Sequence, residues 1–177
     1  GGGRGGVWRG VVVGRGREYG VGRPGEFGIA EISDRALRAL GLELQPEVIE
    51  RVMEVEQDGW LNSVHPGPDV VSTLEWLRQA GLRLGIVSNA AYRPNLMRRQ
   101  VSALQLAPYF MALTFSSAVG IRKPDPRIYR DALRQLGVDA AETLFVGDRV
   151  QEDVQGPKAL GMRAVLRRGW RQEEGPG

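Results

Sequence analysis

Apolar residues change their spacing along the chain, and each change predicts a different kind of element. Before position 28 the only continuous apolar stretch is 11–13, which is typical of a short strand. Between 34 and 64 apolar residues recur at helical spacing, first up to Gly41 and again from Pro46. From Pro66 onward, short apolar runs alternate with amphipathic stretches. This alternation indicates strands that are separated by helices.

The second half of the chain predicts a regular series of elements. Asp125 and Pro126 suit the start of one helix, because aspartate caps the helical N–H groups and proline fits the first helical position. The predicted series is helix 70–81, strand 84–87, helix 93–104, strand 111–115, helix 125–137, strand 143–146, a helix that ends near Gly161, and strand 164–166. Strands that alternate with helices predict an α/β fold, with a doubly wound, mostly parallel sheet.

Composition divides the chain into four parts. Residues 1–28 contain 12 of the 25 glycines, which opposes a stable core and predicts a disordered or non-native segment. Residues 29–65 are predicted to be helical, 66–170 to form the α/β core, and 171–177 to be a tail. The chain has no cysteine, which excludes disulfides and thiolate chemistry, and no apolar run that could span a membrane. We therefore expect a cytoplasmic protein without a membrane partner.

The net charge of +3 comes from the amino-terminal segment alone. Residues 1–28 hold five arginines and two glutamates, which leaves 19 basic and 19 acidic residues in the remainder. We therefore expect no nucleic-acid partner for the folded part. One alternative stays open, since Trp8, Tyr19 and Phe27 lie among these arginines and aromatic residues with arginines bind single-stranded nucleic acid.

Chemically active side chains follow three of the predicted strands. Ser88 and Asn89 follow strand 84–87, Lys123 lies in the loop after strand 111–115, and Asp148 follows strand 143–146, with Glu152 and Asp153 close behind. Ligands of doubly wound sheets bind beyond the carboxyl ends of the strands. The topology therefore predicts one site that contains all of these groups.

These residue types suit a phosphoryl group. Hydroxyl and backbone N–H groups hold phosphate oxygens, a lysine neutralises them, and carboxylates hold Mg²⁺ together with water and phosphate. Each residue also has a structural explanation. Ser88 and Asn89 suit a helix cap, Lys123 an exposed loop, and Asp148 a turn. The prediction rests on their order at successive strand ends.

Three segments carry a resemblance to the haloacid dehalogenase-like hydrolase superfamily. Residues 85–89 (Gly-Ile-Val-Ser-Asn) resemble its second motif, 122–126 (Arg-Lys-Pro-Asp-Pro) its third, and 145–148 (Phe-Val-Gly-Asp) with Asp153 its fourth. The resemblance covers about residues 34–167 and is closer to the phosphatases than to the dehalogenases. It implies a Rossmannoid core with a small helical cap, short or incomplete here, over 29–65.

The resemblance also implies a function and a set of site residues. The function is Mg²⁺-dependent hydrolysis of a small phosphorylated metabolite through an aspartyl-phosphate. Ser88 and Asn89 would hold the phosphoryl group, Lys123 would be the catalytic cation, and Asp148 and Asp153 would serve the Mg²⁺. His65, at the exit of the cap, is interpreted as a hinge or packing residue.

One required element of this family is missing from the sequence. Members carry an Asp-x-Asp motif at the end of the first strand, but no aspartate precedes Asp34, and strand 11–13 is followed by Gly14-Arg15-Gly16. Three explanations stay open: a non-native amino-terminal stretch, a natural phosphate binder without catalysis, or a substitute carboxylate. The candidate substitutes by residue type are Asp34, Asp58 and Asp69. We expect the activity of this chain to be severely impaired.

Two further hypotheses come from other features. Residues 20–25 match the Gly-x-Gly-x-x-Gly pattern of nucleotide-binding loops, but no clear strand precedes them and no helix follows, as that mechanism requires. A catalytically silent scaffold that keeps the phosphate pocket is the other alternative, and the sequence does not distinguish it from an impaired enzyme.

Overall fold

Five strands form one sheet. They are β1 (Gly10–Gly16), β2 (Arg83–Asn89), β3 (Ala112–Phe115), β4 (Thr143–Gly147) and β5 (Arg163–Leu166). Their order is β3-β2-β1-β4-β5, and all four pairings are parallel. The computed structural model describes residues 10–16, 29–90 and 92–168. The predicted α/β fold with a parallel sheet is confirmed.

Helices connect the strands and lie on both sides of the sheet. They are α1 (Ile29–Ala39), α2 (Pro46–Leu61), α3 (Val70–Gln79), α4 (Pro94–Ala103), α5 (Ser116–Val119), α6 (Pro126–Leu136) and α7 (Gly156–Ala159), with a π-helical turn at Val150–Gln155 and 3₁₀ turns at Ala107–Tyr109 and Ala140–Glu142. No helix in the described ranges is both long and apolar enough to cross a membrane.

Neighbouring residues of β1 serve the two faces of the sheet, because successive strand side chains point in opposite directions. Val12 packs in one core with Phe145 of β4 and Ile128 of α6. Val11 packs on the other face with Leu74 of α3 and Leu84 of β2. The sheet is therefore covered on both sides, as expected for a doubly wound fold.

Helix α6 begins and ends as its sequence predicts. The carboxylate of Asp125 accepts the backbone N–H of Arg127 at 2.9 Å, and Pro126 occupies the first turn. The helix ends at Gly137, whose φ of 62° lies in the left-handed region that glycine adopts easily. These contacts fix the helix that follows the Lys123 loop.

Strand β1 occupies the centre of the sheet. It pairs with β2 from Gly10–Arg83 to Gly16–Asn89 and with β4 from Gly10–Thr143 to Val13–Val146. The core therefore includes a strand that precedes the predicted core range of 66–170. The rest of the predicted amino-terminal segment (1–9 and 17–28), the glycine pattern at 20–25 and the tail 171–177 lie outside the described residues.

Two local predictions differ from the structure. Ser88 and Asn89 lie within β2, not after it, because the pairing with β1 continues to Asn89. A loop is predicted between β4 and the helix that ends near Gly161, but a π-helical turn occupies this segment and leads into the short helix α7. Both differences lie at the carboxyl edge of the sheet, where the candidate site residues are found.

Helices α1 and α2 form a hairpin that is attached to α4. The side-chain amide of Gln57 on α2 donates to the carbonyl of Leu96 at 2.8 Å, and Asp58 forms an ion pair with Arg99 at 2.7 Å. Met53 of α2 packs with Leu96 in a small apolar cluster. The prediction that 29–65 form a helical cap stays a prediction, while the helices themselves are present.

Candidate functional site

The strand register brings the predicted phosphate and metal residues to one edge. Val13 pairs with Ile86 on one side and with Val146 on the other. Ser88 and Asp148 each follow two residues later, Ser88 within β2 and Asp148 directly after β4. Arg15 of β1 pairs with Ser88 near the end of the same two strands.

Lys123 forms a buried ion pair with Asp153. The ammonium Nζ lies 2.6 Å from Oδ1 of Asp153, and both side chains have no solvent exposure. The ring of Phe145 lies 5.6 Å from the same ammonium. Burial lowers the pKa of Lys123, while the charge and hydrogen bond of Asp153 oppose that shift. The alternative that Lys123 is an exposed loop residue is wrong, because its side chain is fully buried.

The second oxygen of Asp153 holds the turn after β4. Oδ2 accepts the backbone N–H groups of Asp148 and Arg149, each at 3.0 Å. The carboxylate lies against Gly147, where any Cβ would collide with it. Both oxygens of Asp153 are therefore engaged within the protein. Asp153 thus positions the Lys123 ammonium and the turn at Asp148.

Asn89 joins the end of β2 to the Lys123 loop. Its Oδ1 accepts the backbone N–H of Lys123 at 2.8 Å, and its Nδ2 donates to the carbonyl of Lys123 at 3.1 Å. The Asn89 side chain is buried, as is that of Ser88 beside it. The Asn89 amide therefore binds both the backbone N–H and the backbone carbonyl of Lys123.

Two residues that support the site were not predicted. The Tyr129 hydroxyl donates to the carbonyl of Glu152, and its ring packs edge-on against Phe145. Ser116 lies after β3, and its hydroxyl accepts the N–H of Ala90 at 2.8 Å and donates to the carbonyl of Ala90 at 3.2 Å. Tyr129 follows the segment that resembles the third motif by three residues, so the sequence contained a signal for it. Ser116 gave none.

The turn after β4 also contains polar atoms without hydrogen bonds. Oε2 of Glu152 is buried and has no hydrogen-bond partner, and Nη1 of Arg149 lies 3.4 Å from the other oxygen. Burial is the main cause that raises the pKa of Glu152, and Arg149 opposes it. Buried polar atoms without partners are uncommon, so this turn is suited to an additional polar ligand.

The carboxylates at this turn fit a magnesium ion only if a substrate completes its coordination. Among the described residues, no group of three or more acidic or histidine side chains could hold a metal. Mg²⁺ usually takes one or two protein carboxylates, with water and phosphate oxygens in the remaining positions. Asp148 and the buried oxygen of Glu152 meet that smaller requirement.

The candidate substitute carboxylates have other contacts. Asp34 pairs with Arg38 within α1 at 2.8 Å, and Asp58 pairs with Arg99. The backbone carbonyl of Asp69, just before α3, accepts the hydroxyl of Ser72. None of these contacts connects the three aspartates with Lys123 or the Asp148 turn.

The chain is similar to known phosphatases over much of its length. It is 32% identical over 161 residues to the glyceraldehyde 3-phosphate phosphatase of Methanopyrus kandleri, covering 90% of this chain and 66% of that protein. It is 40% identical over 108 residues to the phosphoserine phosphatase of Thermus thermophilus, covering 60% and 43%. The chain thus spans about two thirds or less of the length of these curated relatives.

Solved structures share the fold. A phosphatase of this family from Thermococcus onnurineus has a TM-score of 0.62 at 24% identity, covering 92% of this chain and 89% of that one. The 2-haloacid dehalogenase of Pseudomonas syringae pv. Tomato DC3000 also has a TM-score of 0.62, at 28% identity, covering 83% and 63%. The shared fold therefore includes both phosphatases and dehalogenases.

The sequence profile of haloacid dehalogenase-like hydrolases matches residues 26–166. This range includes β2, β3, β4 and β5 and all the candidate site residues, and it begins after β1. The matched range exceeds half of the chain, and the parallel sheet carries Ser88, Lys123 and Asp153 at its carboxyl edge. This chain belongs to the haloacid dehalogenase-like hydrolase family.

Proposed function

We propose that the chain binds the phosphoryl group of a small phosphorylated metabolite with Mg²⁺, as a phosphatase-type member whose hydrolytic activity is impaired. The observation that carries the proposal is the fully buried Lys123–Asp153 pair at the carboxyl edge of the sheet. Burial of a lysine costs several kcal/mol unless its charge is paired. A buried, paired lysine at the sheet edge where ligands bind therefore indicates that a fixed cation is needed there. A phosphate dianion is the ligand that such a cation suits.

Each predicted residue has a role in this proposal. Ser88 holds a phosphate oxygen through its hydroxyl, and Lys123 neutralises the charge on the oxygens. Asn89 and Asp153 keep the lysine in place through the contacts with its backbone and its ammonium. Asp148 and Glu152 provide the carboxylates for the metal, because both oxygens of Asp153 are engaged within the protein. When bound, Mg²⁺ supplies positive charge to the phosphate oxygens.

The proposed impairment rests on the residues of β1. In-line displacement at phosphorus needs a nucleophile, and in this family that group is an aspartate at the end of the first strand. We assign Gly14 and Gly16 of β1 to the two aspartate positions, and glycine has no group that attacks phosphorus or transfers a proton. Arg15, opposite Ser88, is a cation and not a nucleophile. The chain therefore keeps the binding groups and lacks the attacking group.

The substrate class is supported by the relatives. Their names give glyceraldehyde 3-phosphate and phosphoserine as substrates, and both are small phosphomonoesters. A second candidate function follows from β1 itself: a non-catalytic protein that binds such metabolites without hydrolysis. The two functions share one site and differ only in turnover.

Hydrolysis of p-nitrophenyl phosphate, measured with and without Mg²⁺, tests the proposal. We expect turnover near the uncatalysed background and calorimetrically detectable binding of inorganic phosphate that Mg²⁺ strengthens. Asp148→Asn should remove the Mg²⁺ effect on phosphate binding. Failure to bind phosphate under either condition would contradict the proposed function.

A restored carboxylate pair separates impairment from a different mechanism. We expect the double variant Gly14→Asp/Gly16→Asp to raise Mg²⁺-dependent turnover by roughly a hundredfold or more, since an acid–base group alone is worth that much. Gly14→Asn/Gly16→Asn is the matched control and should stay inactive. Fast Mg²⁺-dependent turnover by the unmodified chain would show that another nucleophile exists.

A further inference from the structure

Helix α2 exposes a continuous apolar line on the side that does not face the protein. Val48, Val52 and Val55 keep 45%, 50% and 57% of their surface exposed. They follow one another at spacings of four and three residues, and Gly59 continues the line. Exposed single apolar residues are normal, but an aligned row on one helix indicates a contact surface.

The row is separate from the face by which α2 is attached. Ile49 and Met53 are buried, and Gln57 is fully buried and hydrogen-bonded to Leu96. On a helical projection, with 100° per residue, the centres of the two rows lie roughly 130° apart. The hairpin therefore has one apolar row for the α/β core and a second row that the described part of the chain leaves uncovered.

The spacing of the second row is that of a two-stranded coiled-coil seam. Val52 and Gly59 take the a positions, and Val48 and Val55 take the d positions. A Cβ at Gly59 would meet nothing within 4 Å, so this end of the row leaves room for a facing side chain.

The charged residues beside the seam indicate which helix packs there and whether the two helices run parallel. In the same register Arg51 is a g position and Glu56 is the e position that follows it by five residues. In parallel two-stranded packing, a g residue of one helix lies beside that e residue of the other helix. Arg51 is 74% exposed and pairs within its own helix with Glu54, and Glu56 is exposed. A second copy of α2 thus presents the complementary charge on both sides of the seam.

We propose that this row is a homodimer interface in which α2 of one copy packs parallel to α2 of a second copy. Val52 and Val55 form the centre of the contact, and two Arg51–Glu56 pairs related by the two-fold axis flank it. Ile32 in α1 and Leu40 and Leu42 in the loop of the hairpin are also exposed. Two such hairpins together make a four-helix arrangement, a common way to bury amphipathic helices.

Single-cysteine variants of the chain test the interface, because its 177 residues include no cysteine. Parallel packing places the two copies of Val55 opposite each other, so Val55→Cys should form a disulfide-linked dimer under mild oxidation. Val71→Cys is the matched control, since Val71 of α3 has a similar exposed fraction of 45% and lies outside the row. Sedimentation should show that the unmodified chain is a dimer. A monomer at every concentration, or equal cross-linking of both variants, would overturn the proposal.

Charge reversal tests the direction of packing. Arg51→Glu and Glu56→Arg should each weaken dimerisation by roughly tenfold, because the symmetry axis repeats each lost pair. The double variant Arg51→Glu/Glu56→Arg should restore the affinity of the unmodified chain. Val52→Asp should give a monomer with an unchanged circular dichroism spectrum. If the double variant is as weak as the two single variants together, the parallel arrangement is wrong.

Discussion

At the scale of single residues, the ammonium of Lys123 and the carboxylate of Asp153 depend on each other. The two side chains are fully buried, and the carboxylate also accepts two backbone N–H groups. Removal of one partner from such a pair leaves a charge in the interior without compensation. The pair therefore controls stability as well as any chemistry at the site.

We expect Lys123→Met to lower the free energy of unfolding by about 3–5 kcal/mol. Asp153→Ala should cost at least as much, since it also removes the acceptor of the Asp148 and Arg149 N–H groups. Urea unfolding measures both changes. Arg78→Ala, which breaks an exposed pair with Glu75, is the control and should cost less than about 1 kcal/mol. Equal costs for the buried and the exposed pair would contradict this account.

Asp125 gives a pH-dependent contribution to stability. The side-chain and backbone hydrogen bonds from Arg127 lower the pKa of its carboxyl group. Because the pKa of Asp125 is lower in the folded chain than in the unfolded chain, the ionised carboxylate stabilises the folded state. This stabilisation is complete above the pKa of the unfolded chain, near 4, and is lost as the pH falls through the pKa of the folded chain. Asn is also a good cap but does not titrate. We therefore expect the stability difference between the unmodified chain and Asp125→Asn to be positive at pH 7 and to vanish as the pH falls through the lowered pKa of the folded state.

The cap itself is worth a separate measurement at constant pH. Asp125→Ala should cost about 1 kcal/mol at pH 7, because the N–H of Arg127 loses its acceptor. Chemical denaturation of the Asn and Ala variants side by side separates the cap from the charge. A loss of stability in the Ala variant that disappears at acid pH would assign the whole effect to the charge.

At the scale of elements, the connection from β4 to the π-helical turn depends on the lack of a side chain at Gly147. A Cβ there would collide with the Asp153 carboxylate, whereas a Cβ at Gly85 of β2 would meet Cδ1 of Leu136 at 3.0 Å. The end of a leucine can move, but the carboxylate is fixed by Lys123 and two N–H groups. The two glycines therefore tolerate a methyl group differently.

We expect Gly85→Ala to cost about 1–3 kcal/mol, the usual range for overpacking. Gly147→Ala should cost more and should also weaken phosphate binding, because displacement of Asp153 releases Lys123. Thermal denaturation and phosphate calorimetry on the same two variants test this. Intact phosphate binding in a folded Gly147→Ala variant would argue against the role of the turn.

Sequence patterns predicted the elements whose residues follow a strict period. Helix α6 has its cap at Asp125 and its stop at Gly137, and β2 has a continuous apolar run from Leu84. The full length of β1 was not predictable, because glycine and arginine have little preference for strands and only pairing with β2 extends it to Gly16. The π-helical turn was not predicted, because no residue pattern in 150–155 distinguishes it from the loop expected there.

The candidate site shows the same division. The order of the strand ends predicted that Lys123 and Asp153 lie at one edge with the end of β2, where Ser88 is found, because topology brings the carboxyl ends of parallel strands to one edge. The hydrogen bonds that connect these segments were not predictable from the sequence pattern. No local rule indicates that Asn89 binds both backbone groups of Lys123, or that Ser116 holds the backbone of Ala90. Such contacts join residues that are distant in sequence.

At the scale of the whole molecule, the proposed dimer links stability to concentration. Dimerisation stabilises the folded state by mass action, so the melting temperature of the unmodified chain should rise with protein concentration. Val52→Asp should remove this dependence. Differential scanning calorimetry at several concentrations measures it. A melting temperature that is independent of concentration in both chains would count against the dimer.

The central place of β1 has a consequence for the order in which the sheet forms. Gly10 pairs with Arg83 on one side and with Thr143 on the other, so the strand that is synthesised before its neighbours is bordered by segments that are synthesised much later. Closure of such long loops costs entropy before any contact repays it, and chains with many distant contacts fold slowly. On the ribosome, β1 therefore has no strand partner until the hairpin and β2 have been synthesised. Its second edge stays unpaired until β4 emerges, after β3.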